Sequence, residues 1–130
     1  MAHSNNQKPE VPNGLIVVSG PSRGGKSRWA EHLLSSQETV TYVATSAHRS
    51  NDPSWDERIR LHRERRPLHW QLREPGRNLA ECIRREEPHQ PLLIDALGGY
   101  TAAHLDLHDH AWIQEAEELI QSLLTRTCPT

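Results

Sequence analysis

Eight consecutive residues, Gly20-Pro21-Ser22-Arg23-Gly24-Gly25-Lys26-Ser27, constrain this chain more than any other stretch. They satisfy the spacing G-x-x-x-x-G-K-[ST]. Before them stands Leu15-Ile16-Val17-Val18, a β-branched run suited to a strand buried on both faces. After them, Trp29, Ala30, Leu33 and Leu34 fall on one stripe of a helix. Glycines in such a turn admit positive φ and close backbone approach, so successive N–H groups converge on phosphate oxygens at a helix N-terminus. All eight residues are therefore candidate nucleotide-binding positions. Lys26 would reach the β- and γ-phosphates, and the Ser27 hydroxyl would ligate Mg²⁺. A chain of this length matches the pattern by chance about once in a few hundred, and the flanking elements sharpen it. The competing reading is a glycine-rich turn with an incidental lysine.

The remaining pattern alternates strands and helices. Val40 to Thr45 reads as a second strand. Asp52-Pro53 is a helix start, and that helix should run to about Arg65 because Pro67 opposes continuation. Trp70 to Arg73 suits a short strand, and a helix spans about Arg77 to Glu86 with Leu79, Ala80, Cys82 and Ile83 inward. Leu92-Leu93-Ile94-Asp95 is the third buried strand and ends on an acid. A Gly98-Gly99 break and a His/Asp-rich loop follow. The last helix should bury Trp112, Ile113, Ala116, Leu119, Ile120, Leu123 and Leu124. This order predicts an α/β domain of P-loop NTPase type over residues 15–130, its sheet mainly parallel and flanked by helices. Residues 1–14 read as a disordered tail. In such a fold Asp95 stands where the second metal-binding acid belongs, near Ser27.

Composition narrows the partners. With 130 residues the chain fits one domain, and 15 Lys+Arg against 17 Asp+Glu leave a net charge of −2, which argues against a dedicated nucleic-acid binder. No apolar run approaches the ~20 residues of a membrane span, and no apolar signal core opens the chain. A cytoplasmic protein is expected. The two cysteines support neither a disulfide framework nor a zinc site; Cys82 reads as a small packed hydrophobe and Cys128 as a free thiol in a tail. His104, His108 and His110, interleaved with Asp106 and Asp109, resemble a metal cluster, but no Cys or Glu joins at a recognised spacing and a solvated loop is the expectation. Trp29 and Trp112 are read as core.

Several blocks together resemble one family. They are Gly20-x-x-Arg23-x-Gly25-Lys26-Ser27-Arg28-x-Ala30-Glu31, Tyr42-Val43-Ala44-Thr45, Glu57-Arg58-Ile59-x-x-His62-Arg63-x-x-Arg66-Pro67-x-x-Trp70, and Leu93-Ile94-Asp95. The sequence is similar to the bifunctional adenosylcobinamide kinase/adenosylcobinamide-phosphate guanylyltransferase family of cobalamin synthesis over about Leu15 to Leu124. The resemblance implies GTP and ATP as nucleotides, Mg²⁺, a corrinoid substrate and a homo-oligomer. It also places the family's guanylyl-accepting histidine on His62. That chemistry is sensible, since a neutral imidazole can attack the α-phosphorus of GTP and release pyrophosphate. Arg58 and Arg66, with Arg63 and Arg65 nearby, would neutralise the triphosphate and keep the imidazole unprotonated. Periodicity alone favours another role, because Trp55, Ile59 and His62 share a helical stripe that suits a core-edge histidine.

The sequence departs from the family pattern in places. Ala96 stands where relatives carry Cys or Ser, Ala103 where an Asn is usual, and Gly24 where a small hydroxyl residue is common. After Leu124 only Thr-Arg-Thr-Cys-Pro-Thr remains, where the family continues with a further strand and a helical region. The expected fold therefore lacks its last strand and helix, with one sheet edge unpaired and apolar surface open to water. Pro129 is expected to disfavour a buried strand. The second functional expectation is a truncated, non-catalytic nucleotide-binding module, or a remnant that needs a partner. Another small-molecule kinase with the same loop would leave the His62 block unexplained.

Overall fold

The computed structural model describes Val11, residues 13–21, 24–45 and 69–130, and between them Pro53, Glu57, Arg60, Leu61, Glu64, Arg66 and Pro67. Helix α1 spans Lys26–Leu33, strand β1 Thr41–Ala44, and strand β2 Gln71–Arg73. Helix α2 spans Leu79–Arg85, strand β3 Leu92–Asp95, helix α3 Leu97–Ala103 and helix α4 Asp109–Leu124. The five described residues from Pro53 to Glu64 are helical, as the Asp52-Pro53 start predicts.

The three strands form a parallel sheet in the order β2-β1-β3. Tyr42 pairs with Leu93 and Ala44 with Asp95, so the ends of β1 and β3 lie level. Alternation along the strands sends successive side chains to opposite faces. On one face Val43 and Leu92 pack with Leu79, Ala80 and Ile83 of α2 and with Leu119 and Leu123 of α4. On the other, Tyr42 and Leu93 pack with Leu34, Val40 and Trp70, and Ala30 of α1 closes over them. The result is a P-loop-like α/β fold with helices on both faces of a parallel sheet.

The expected first strand takes a different form. Residues 15–18 carry no regular secondary structure and no ladder with the sheet, and Val17 is 73% exposed. The segment's neighbour is the end of the chain. Gly14 N–H donates to Cys128 O at 3.2 Å, Thr130 N–H to Gly14 O at 3.0 Å, and Ile16 N–H to Thr130 O at 2.8 Å, an ascending pattern that marks parallel pairing. Leu92 N–H then donates to Pro129 O at 3.1 Å, so residues 127–130 lie between β3 and residues 14–16. Residues 127–130 form no strand, in keeping with Pro129, which lies buried beside β3 and contributes only its carbonyl to the contact, where no N–H is required. The expected bare edge is partly covered. Beyond Thr130 a cleft of about 120 Å³ stays open between Ile16, Val18 and β3, under α1.

Other expectations also give way. Gly98 and Gly99 sit inside α3 instead of breaking the chain, because Tyr100, 2% exposed, anchors that helix in the core. The buried stripe of α4 runs through Leu119, Ser122 and Leu123, while Ile113, Ile120 and Leu124 are exposed. Trp112 packs against the core as predicted, but Trp29 is 55% exposed, on the outer side of α1. Cys128 is buried instead of lying in a loose tail, its thiol donating to Gln90 O at 2.9 Å. His104 is buried too. Its Nδ1 lies 2.7 Å from Tyr100 O and its ring packs on Tyr100 and Trp112, whereas His108 and His110 are exposed. Val11 and Gly14, from the stretch expected as tail, touch the second core cluster and the chain end.

Candidate functional site

The site forms where α1 begins and β3 ends. Gly25 caps α1 with φ 84° and ψ 17°, a left-handed conformation that a side chain would strain. The turn is closed by Gly24 N–H donating to Pro21 O at 2.9 Å. Lys26 folds back over it, its ammonium donating to Gly20 O at 3.1 Å and Pro21 O at 2.9 Å. These bonds hold the cation over the mouth of the loop, where phosphate oxygens would replace the carbonyls as stronger, charged acceptors. Of the eight predicted loop positions, Ser22 and Arg23 lie outside the described residues.

Ser27 and Asp95 are brought together as predicted. The Ser27 hydroxyl donates to Asp95 Oδ2 at 3.0 Å. Such a donor set, one hydroxyl and one carboxylate at the head of a helix, fits a hard oxygen-seeking cation such as Mg²⁺ that would take its remaining ligands from phosphates and water. The end of β1 braces the acid. Thr45 N–H donates to Asp95 O at 3.1 Å, Ala96 N–H to Thr45 Oγ1 at 2.8 Å, and the Thr45 hydroxyl in turn donates to Ala96 O. The Asp95–Ala96 peptide is cis.

Sequence reasoning missed one member of the group. The Tyr42 hydroxyl donates to Asp95 Oδ2, the same oxygen that Ser27 uses. Burial first, and then the charge and hydrogen bond of Asp95, push the Tyr42 phenol far above its usual range; Glu31 adds to the effect and Arg66 opposes it. Only the register of β1 against β3 reveals the contact, since Tyr42 sits opposite Leu93 and thus on the Asp95 side of the sheet.

Arg66, predicted to bind nucleotide, joins the same group. Its guanidinium carbon lies 4.6 Å from the centroid of the Tyr42 ring, a cation–π contact. Its Nε is buried with no hydrogen-bond partner among the described residues. The predicted His62 and Arg58 lie outside the described residues. Among the described residues no cluster of His, Cys, Asp and Glu has the grouping of a metal site; His104 is buried, while His108 and His110 are exposed. No described helix is long and apolar enough to cross a membrane.

A family model described as cobinamide kinase / cobinamide phosphate guanyltransferase matches residues 16–130. The bifunctional adenosylcobalamin biosynthesis protein CobU of Escherichia coli (strain K12) is 37% identical over 84 residues, 64% of this chain and 45% of that protein. Its counterpart in Salmonella typhimurium is 36% identical over 84 residues, with the same coverage. The CobP protein of Pseudomonas aeruginosa is 41% identical over 83 residues, 62% of this chain and 47% of that protein. The chain spans less than half the length of these curated relatives. The family model covers far more than half of this chain, and with the glycine-capped loop and its Ser27–Asp95 pair it places the protein in the cobinamide kinase / cobinamide phosphate guanyltransferase family.

Proposed function

We propose that the protein binds a nucleoside triphosphate at Gly20–Ser27 and uses it in the late steps of cobalamin synthesis, phosphorylating adenosylcobinamide and guanylylating the resulting phosphate. The observation that carries this reading is the 3.0 Å contact of Ser27 with Asp95 at the head of α1, beside the Lys26 ammonium. That arrangement gathers backbone N–H groups, a cation and two oxygen ligands around the position of a triphosphate tail. Mg²⁺ held by Ser27 and Asp95 would offset the charge of the β- and γ-phosphates. Lys26 would exchange its loop carbonyls for phosphate oxygens, and Arg66, supported on Tyr42, would add a second cation.

In guanylyl transfer a nitrogen of the neutral His62 imidazole attacks the α-phosphorus of GTP. An N–P bond forms, the bond between the α-phosphorus and its bridging oxygen breaks, and pyrophosphate leaves with the electron pair. A phosphate oxygen of the cobinamide phosphate then attacks the same phosphorus, breaking the N–P bond and returning the imidazole. In the kinase step a hydroxyl oxygen of adenosylcobinamide attacks the γ-phosphorus of ATP or GTP. An O–P bond forms, the bond from the γ-phosphorus to the β,γ-bridging oxygen breaks, the nucleoside diphosphate leaves with the electron pair, and the hydroxyl proton passes to solvent. Arginines near His62, Arg58 among them, suit the first step because they disfavour protonation of the ring and neutralise the leaving pyrophosphate.

Incubation with GTP labelled at the α-phosphate tests the reading. The protein should acquire an acid-labile label that His62→Ala abolishes while nucleotide binding persists. Binding without any label would leave a nucleotide-binding module and overturn the transferase assignment.

A further inference from the structure

Tyr42 touches both Asp95 and Arg66, and no motif gives it a task. It lies on β1 with 4% of its surface exposed, packed among Leu34, Val40, Trp70 and Leu93. A buried phenol requires one partner for its hydroxyl. Here that partner is the Asp95 oxygen already engaged by Ser27, and the face of the same ring carries the Arg66 guanidinium. One side chain thus links the phosphate loop, the acid of β3 and the arginine segment.

We infer that Tyr42 is a positioning residue: its hydroxyl holds the Asp95 carboxylate against Ser27, and its ring seats Arg66 beside the phosphate loop. The inference deepens the nucleotide and Mg²⁺ reading above and rests on it. A carboxylate pinned by two hydroxyls presents its oxygens in one orientation, so a cation arriving with the nucleotide meets a preset ligand instead of ordering a free side chain. The ring acts separately. It offers Arg66 a flat, negative face in a dry setting and keeps the guanidinium near the triphosphate position without neutralising it, as a carboxylate partner would.

Substitution separates the two tasks. Tyr42→Phe keeps the ring and removes the hydroxyl, while Tyr42→Leu removes both. Each variant and the wild type would be titrated with a fluorescent GTP analogue in Mg²⁺ and again in EDTA, with melting temperatures recorded alongside. Tyr42→Phe should weaken binding about tenfold in Mg²⁺ and leave binding in EDTA unchanged. Tyr42→Leu should weaken both. If Tyr42→Phe matches the wild type in Mg²⁺, or loses affinity equally with and without the metal, the hydroxyl has no positioning role and the inference fails. If Tyr42→Leu binds as Tyr42→Phe does in EDTA, the ring does not seat Arg66 and that half is overturned. A wild type that binds no better in Mg²⁺ than in EDTA would instead refute the metal reading of Ser27 and Asp95, and the inference with it.

Discussion

Ser27 and Asp95 stand 68 positions apart in the chain and 3.0 Å apart in space. Ser27 lies at the start of α1 and Asp95 closes β3, and the packing of α1 over the Tyr42 and Leu93 side of the sheet sets their approach. Helix-start amides, a lysine ammonium, a hydroxyl and a carboxylate thereby converge, which is the requirement for gripping a charged phosphate tail.

Lys26→Ala tests that grip most directly. The ammonium is bonded to the carbonyls of Gly20 and Pro21 at an exposed position, so its loss leaves the core intact. Affinity for GTP should fall about 10- to 100-fold, the worth of one or two charge-assisted hydrogen bonds, with the far-ultraviolet circular dichroism unchanged. Unaltered GTP binding in a titration would remove the loop assignment.

The chain has two tyrosines, and both resist ionisation. Burial, with help from Asp95, raises Tyr42; burial, with help from Glu115, pushes Tyr100 up to about 12. The folded state therefore holds these protons more tightly than the unfolded chain, whose phenols ionise near pH 10. The stability this confers is fully present below about pH 10 and is lost as pH rises from there toward the folded values. Phenolate absorbance at 295 nm should lag well behind that of free tyrosine and then rise together with unfolding. Tyr42→Phe should flatten the alkaline loss of stability. Ordinary phenolate formation near pH 10 in a protein still folded by circular dichroism would contradict both environments.

Ile83→Ala probes the larger core. Ile83 is 1% exposed among Val43, Leu79, Leu92 and Leu123, where α2 meets the sheet and α4. Its truncation should cost about 3 kcal/mol through lost transfer energy and an unfilled cavity, read from urea midpoints. Ile113→Ala, at a position 54% exposed, should change stability by less than about 0.5 kcal/mol. Comparable losses for the two would mean that α4 turns a different face inward.

Arg126 clamps the chain end. The guanidinium, 7% exposed, donates to Glu86 O at 3.1 Å and to Gln90 O, and it approaches Cys128 Sγ at 3.4 Å. Arg126→Ala leaves two carbonyls without their charged donor and should destabilise the fold by about 2–3 kcal/mol. Hydrogen exchange should then speed up at Thr127 and Thr130, whose N–H groups donate to Pro88 and Gly14, before it does in β1. Uniform acceleration would show that no separate clamp exists.

Local signals in the chain were enough to specify β1 and β3, the three-residue strand before α2 and the loop, while the approach of Asp95 to Ser27 was expected from where a fold with such a loop places its second acid. Short apolar runs ending at polar residues, and glycines at a strand-to-helix turn, carry their structure in a few neighbouring residues. Residues 15–18 look like a buried strand by the same test, yet they are alternately half-buried and exposed, because burial depends on what lies alongside and their neighbour is Cys128 to Thr130. Gly98 and Gly99 look like a break, but one buried tyrosine outweighs their poor helix propensity. The width of the apolar face on α4 is likewise invisible to periodicity, which indicates a direction but not how many neighbours cover it.

By itself, then, the sequence determined the α/β alternation, the glycine-rich loop at the head of α1 and the acid that closes β3, since each is a matter of residue type at fixed spacing. Tertiary structure alone decided that Tyr42 reaches Asp95, that Arg66 lies on the Tyr42 ring, that His104 and Cys128 are buried, and that the chain end pairs beside β3. The reason is physical. Most of those contacts join groups far apart in the chain, and even the burial of His104, whose ring packs on nearby Tyr100 and Trp112, depends on how its helix docks. Strand register and helix docking, which select among many such pairings, are set by the whole packed core acting together.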